Sequence, residues 1–142
     1  MGKVTAIRQF ASLVAGEHVI IKRERIEWES CMYDNKMRIG IPKDLMAIDD
    51  ADKLFRKDFV NRCPLAQGFA HVTLSILHEI GHQFHREEYV FFDTKEYNDT
   101  FGEAHFQLLP EVVATNWAIE WLQDPEHRKQ AKAFEKEFFR SK

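Results

Sequence analysis

The chain has 142 residues, 44 % hydrophobic and 30 % charged, proportions that fit one globular domain and exclude a disordered, fibrous or repeat architecture. Its 20 Lys and Arg against 23 Asp and Glu give a net charge of -3, without the basic excess of a dedicated nucleic-acid binder. Cys31 and Cys63 form no CxxC pair, so neither a disulfide framework nor a cysteine-rich zinc site is expected, and a reducing interior is the natural compartment.

Residues 3–15 carry apolar side chains at Val4, Ile7, Phe10, Ala11 and Val14, a helical period that Gly16 can end. Arg8 and Gln9 interrupt any apolar run there, and no stretch of the chain approaches the roughly 18 uninterrupted apolar residues of a membrane span. Neither a signal peptide nor a span is therefore expected, and the chain reads as cytoplasmic. His18 to Trp28 is rich in β-branched and charged residues and reads as a strand. Tyr33-Asp34-Asn35-Lys36 follows, with an Asp-Asn pair that tolerates the positive φ of a tight turn. Met37, Ile39 and Ile41 then alternate with Lys36, Arg38 and Gly40, a half-buried strand closed by Pro42. Strand, turn and strand make a small antiparallel hairpin, and its polar outer positions suggest that Met37–Ile41 is a sheet edge.

Asp49-Asp50 can cap a helix carrying Ala51, Leu54, Phe55 and Phe59, which stops before Cys63-Pro64. A longer helix is expected from about Leu65 to about Arg86. Residues 87–109 are mixed in character and read as a loop crossing over the structure, with Asn98-Asp99 and Gly102 as breakers. Pro110 suits the first turn of a helix running to Gln123. Asp124-Pro125 opens a last helix, about 125–140, whose Ala131, Phe134 and Phe138 pack it on the rest of one α+β domain spanning 1–142.

The chemistry lies in His78-Glu79-Ile80-Gly81-His82, an HExxH motif. Histidines at i and i+4 stand about 40° apart around a helix, so both imidazoles can reach one zinc ion. Glu79, about 100° from His78, lies beside the metal rather than on it, placed to take a proton from water and return it to a leaving amine. On the same helix Phe69, Val72, Ile76, Leu77, Ile80 and Phe84 form an apolar side, and His71, Ser75, His78, His82 and His85 face the other way. His85 is seven residues from His78, about 10.5 Å along the axis, too far to share one ion with Zn–N bonds of about 2.0–2.1 Å. His71 fails for the same reason. His85 is left with a supporting or oxyanion-stabilising role.

A third ligand must come from another segment, and Asp93, Glu103, His105, Glu111 and Glu120 are the candidates. Glu111 has the strongest claim. The helix from Pro110 is apolar except for a narrow stripe at Asn116 and Glu120, and Glu111 points away from that stripe into the protein. A carboxylate aimed inward is costly unless paired, and a zinc ion would pair it. His105 and Asp93 are the alternatives, and a charge at a helix N-terminus favoured by the dipole is the plainer account.

HEIGH followed downstream by Glu111-Val112-Val113-Ala114 resembles the glutamate zincins (gluzincins). Within that group the hairpin, the HExGH helix and the E-x-x-A-x-x-aromatic-A helix most resemble ImmA/IrrE-type metallopeptidases, on His78, Glu79, Gly81, His82, Glu111, Ala114, Trp117 and Ala118. The likeness runs from about Met37 to Leu122. It implies a minimal zincin-like fold, one zinc ion on His78, His82 and Glu111, Glu79 as base, and cleavage of a regulatory protein in the cytoplasm. No helix-turn-helix module accompanies the motif, and residues 49–66 add a helix ahead of it.

The expected function is hydrolysis of a peptide bond in a protein substrate, with neither nucleic acid nor membrane as partner. The substrate would lie extended along Met37, Arg38, Ile39, Gly40 and Ile41, pairing backbone to backbone. His85, His105, Tyr89 and Tyr97 are the candidates for stabilising the oxyanion. The alternative is a non-catalytic, zinc-stabilised binding protein, which requires a fourth protein donor to close the metal site.

Overall fold

The computed structural model describes residues 2–141. Helix α1 (Lys3–Ala15) ends at Gly16, whose φ of 73° is left-handed and whose N–H donates to the Ser12 carbonyl. Three strands follow: β1 (Ile20–Arg25), β2 (Glu29–Tyr33) and β3 (Lys36–Pro42). Asp34 and Asn35, with φ of 52° and 59°, make the two-residue turn between β2 and β3.

The sheet corrects three expectations. The segment His18–Trp28 does not form one strand: β1 spans only Ile20–Arg25, its pairing register already shifts between Lys22 and Arg25, and Ile26 beyond it is fully exposed. The sheet is mixed rather than purely antiparallel, because β1 runs parallel to β3 while β2 runs antiparallel to it. The strand order is β1-β3-β2, so Met37–Ile41 lies in the centre and not at an edge. Alternation reports which face of a sheet is covered, and it says nothing about whether both sides of a strand are paired. Met37, Ile39 and Ile41 are buried against the helices, whereas Lys36, Arg38 and Gly40 lie on the other face of a central strand, where the side chains of Arg25 and Glu29 cover Gly40. The open edge beside the helices belongs to β2.

Helix α2 (Asp50–Arg62) begins with a reciprocal capping box in which Asp49 and Asp52 accept each other's backbone N–H. A short 3₁₀ turn over Pro64–Gly68 then replaces the expected start of the long helix, and α3 runs His71–Phe84. Its start is set from outside. Glu135 accepts hydrogen bonds from the Ala70 N–H and the Thr73 hydroxyl, both at 2.6 Å, placing a carboxylate at the helix N-terminus. The crossing segment carries 3₁₀ turns at Arg86–Glu88 and Gly102–Gln107 and a short helix α4 (Thr94–Asp99) where a plain loop was expected. Helix α5 (Leu109–Leu122) and helix α6 (Pro125–Arg140) complete the chain as anticipated, α6 opening on an Asp124 cap with Pro125 behind it.

Helix α3 is the axis of the molecule. Leu74, Ile76, Leu77 and Ile80 are wholly buried among the inner face of the sheet, α1 and α5. The helix is enclosed on nearly every side, since His71, Ser75, His78 and Glu79 are buried as well. Phe84, expected on the apolar stripe, is instead 42 % exposed and stacks on Trp117 with centroids 5.1 Å apart. Helix α6 closes the far side, where Phe134 stacks on Phe10 at 4.5 Å and Phe138 is fully buried. No helix among the described residues is long and apolar enough to cross a membrane.

Helices α3 and α5 touch backbone to backbone at Gly81, where a Cβ would fall on the carbonyl oxygen of Ala114. Glycine is required there for close approach rather than for its dihedral freedom. Gly81→Ala should therefore cost about 2 kcal/mol net, overpacking of about 3 kcal/mol outweighing a helix-propensity gain of about 1 kcal/mol. Chemical denaturation of the variant checks this, and a stability equal to that of the parent would show the contact to be soft.

Candidate metal centre

The contact at Gly81 brings the polar face of α3 against the first turn of α5. His78 and His82, one turn apart, direct their rings to one spot with centroids 4.6 Å apart. Glu111, in the first turn of α5, meets them there. Its Oε2 lies 2.6 Å from His78 Nε2 and 3.4 Å from His82 Nε2. The other nitrogen of His78 is held by Thr115 Oγ1 at 3.0 Å, one turn beyond Glu111 on the same helix face. Without a metal, Nε2–H donates to Glu111 Oε2; with an ion bound, Nδ1 donating to the Thr115 hydroxyl would leave the Nε2 lone pair free to ligate it. The ring is further braced by the edge of Phe55 at 4.9 Å.

Electrostatics set the state of these groups. Burial alone would raise the pKa of Glu111, but His78, His105 and His82 surround it and hold its carboxyl well below the usual range. Burial works against a charged His82, yet its hydrogen bond to Glu111 and the nearby carboxylate of Glu79 lift its pKa above the ordinary imidazole value. Glu79 is 8 % exposed, and burial raises its pKa above that of a free carboxylate, only partly offset by His82 and His78. Its main-chain carbonyl accepts a hydrogen bond from Ser30 Oγ at 2.8 Å, and the same hydroxyl accepts one from Gln83 Nε2 at 2.9 Å, tying β2 to the motif helix.

The remaining candidates separate cleanly. Tyr97 donates to Glu111 Oε1 at 2.5 Å, and His105 Nε2 lies 3.0 Å from the same oxygen. His105 Nδ1 faces the Thr100 carbonyl at 3.2 Å, so both ring nitrogens meet acceptors and its pKa is raised, chiefly by the Glu111 bond. The Tyr89 hydroxyl donates to the His82 carbonyl and is 3.5 Å from His82 Nδ1, and burial pushes its pKa up to about 12. Burial and Glu111 likewise raise that of Tyr97. His85 is about half exposed beside Glu87 and Glu88, at 3.6 Å from each, and does not line the cleft. Asp93 caps α4 at the surface, Glu103 pairs with Lys57, and Glu120 is exposed. None of those three joins the cluster.

A cleft of about 1350 Å³ opens beside the cluster, walled by β2 from Ser30 to Met32, by α2 at Leu54 and Phe55, and by Tyr89, Phe92, Phe101 and Phe106 of the crossing segment. The crossing segment is thus a wall of the site. Three contributors escaped the sequence reading: Thr115, Ser30 and Phe55. Thr115 had a signal, being the polar residue four positions after Glu111 in an apolar helix, whereas Ser30 and Phe55 had none. Comparison with protein-family models, curated proteins and solved structures finds no match in any of the three.

The donor set fits a zinc ion. Tetrahedral ligands at about 2.0–2.1 Å stand about 3.4 Å from one another. The His82–Glu111 separation of 3.4 Å already matches, and the His78–Glu111 contact of 2.6 Å needs an opening of about 0.8 Å. An oxygen of Glu79 also lies within 4.8 Å of both imidazole donors. The ligand position nevertheless suits Glu111, whose single oxygen meets both Nε2 atoms from the helix opposite. Glu111→Ala should lose zinc on dialysis while wild type retains it, as measured by elemental analysis; equal zinc content in both would move the third ligand elsewhere.

Proposed function

We propose that this protein is a zinc-dependent metallopeptidase of the glutamate-zincin kind, cleaving a peptide bond in a cytoplasmic, regulatory protein. One observation carries the reading: a buried carboxylate on α5 faces both histidines of an HExxH helix with a single oxygen, at the foot of an open cleft. His78, His82 and Glu111 would hold the ion, and Glu79 is left unbound beside it. A zinc ion there supplies Lewis acidity, which makes water a nucleophile near neutral pH and polarises a carbonyl. The open cleft favours catalysis over a purely structural role, since a structural zinc site is closed by a fourth protein donor. The two free cysteines, one of them exposed, suit a reducing compartment.

Each group of the chain then has a task. Glu79 accepts a proton from the attacking water as the water oxygen adds to the peptide carbonyl carbon. The same carboxyl delivers the proton to the amine nitrogen as the C–N bond breaks. Its burial, by raising the pKa, makes it a stronger proton acceptor than an exposed glutamate. Ser30 and Gln83 fix the backbone that carries it.

The substrate lies along β2 rather than along Met37–Ile41. Tyr33 and Lys36 flank the two-residue turn and form a hydrogen-bonded pair, so the Met32–Met37 and Ser30–Ile39 pairs are of the non-hydrogen-bonded kind. The backbone N–H and C=O groups of Ser30 and Met32 therefore point to the open edge, where an extended peptide can pair with them. Since β2 also lines the cleft, a paired peptide passes directly over Glu79.

Glu79→Gln should keep its zinc and lose about 10²–10⁴-fold in cleavage, the worth of a positioned general base. Fragments that appear in the proteome of cells expressing wild type and not in those expressing the variant would report it. Undiminished cleavage by the variant would remove Glu79 from the mechanism. Met32→Pro deletes one outward N–H at an edge strand, where proline is tolerated. It should raise KM for a peptide with zinc content unchanged; an unaltered KM would take the substrate off β2.

A further inference from the structure

The two oxygens of Glu111 face different partners. Oε2 meets His78 and His82, at 2.6 Å and 3.4 Å, whereas Oε1 receives Tyr97 at 2.5 Å and His105 at 3.0 Å. The second pair comes from the crossing segment and is itself anchored. His105 is fixed by the Thr100 carbonyl and by Phe106, whose ring stands edge-on at 5.3 Å. Tyr97 packs against His105 at 5.0 Å and against Phe92 at 6.5 Å.

Hydrogen-bond inventory decides what these two residues do. A phenol has one O–H, and that of Tyr97 is given to Oε1. Both nitrogens of His105 face acceptors, one a carbonyl and the other Oε1, which leaves no donor for a substrate. An oxygen that accepts two such hydrogen bonds is withheld from a metal ion. We infer that Tyr97 and His105 are positioning residues that clamp Oε1 of Glu111, so that the carboxylate serves the metal through Oε2 alone and leaves a coordination position free for water and the peptide carbonyl. They are thus not the oxyanion stabilisers for which the sequence made them candidates. The inference rests on the zinc reading of the site and gives the segment 86–108 a function beyond joining α3 to α5.

The test uses the full chain, stripped of metal and titrated with Zn²⁺ against a chelating indicator, and separately with Co²⁺ as a spectroscopic probe. Tyr97→Phe and His105→Ala should each weaken zinc binding about 10–100-fold, the usual effect of removing a hydrogen-bond partner from a metal ligand. Release of Oε1 should also raise the coordination number, weakening the visible absorption of the cobalt form. His105→Gln restores an N–H donor near the lost one and should recover part of both signals. Tyr97→Phe removes one oxygen only, and thermal unfolding of the metal-free protein confirms that it is folded. Unchanged zinc affinity and cobalt spectrum with reduced turnover would overturn the clamp and return Tyr97 and His105 to the substrate. Wild type binding neither metal would overturn the clamp together with the zinc reading, whereas metal bound normally and no cleavage by wild type would overturn only the peptidase reading.

Discussion

A single carboxylate, buried at the junction of three chain segments, organises this protein. Glu111 is 5 % exposed, and removing a charge from water costs several kcal/mol unless partners answer it. Four side chains do so: His78 and His82 from α3, and His105 and Tyr97 from the segment that crosses between α3 and α5. Together the contacts compensate the burial of Glu111, and they draw α3 and the crossing segment to the same point on α5. A zinc ion placed between the carboxylate and the two imidazoles would take over the role that their direct contacts now fill.

The carboxylate can be reached only because two helices come unusually close. Gly81 lets α3 lie on the backbone of Ala114; Glu111 stands three residues before that alanine on α5 and Thr115 directly after it. Thr115 fixes the nitrogen of His78 that faces away from the cluster, so α5 supplies both the acidic group and the restraint on its neighbour. The same economy appears at the other end of α3, where Glu135 of α6 accepts from Ala70 and Thr73 and anchors the start of the helix. A helix held at both ends and buried on nearly all sides keeps its histidines in one geometry, which a metal site requires.

Besides its buried inner face, the sheet contributes an open edge. β3 lies between β1 and β2, which leaves the outer side of β2 unpaired along the cleft. An unpaired edge is a hazard for a small protein unless it is short or covered, and β2 spans only Glu29–Tyr33. Ser30 ties it to the Glu79 carbonyl, and the proposed capture of an extended peptide would use this exposed edge. Aromatic side chains of the crossing segment line the same cleft.

Local chemistry along the chain was enough to specify α1 with its glycine stop, the capped α2, the Asp34-Asn35 turn, the two last helices and the pairing of His78 with His82 at one helical turn. Each of these depends on neighbours within a few residues, where periodicity, capping and turn preferences act directly. Even the inward aim of Glu111 was legible, because an apolar helix leaves a carboxylate few faces. Strand order was not, since alternation in β3 reflects its covered face and would read the same at an edge or in the centre. The start of α3 was misread for a related reason: Glu135, more than sixty positions away, supplies the cap at Ala70. Tyr97 and His105 were legible as candidates for the site, but their contact with Oε1 was not, because they lie in a segment without periodicity that meets Glu111 only when packing carries it across the cleft.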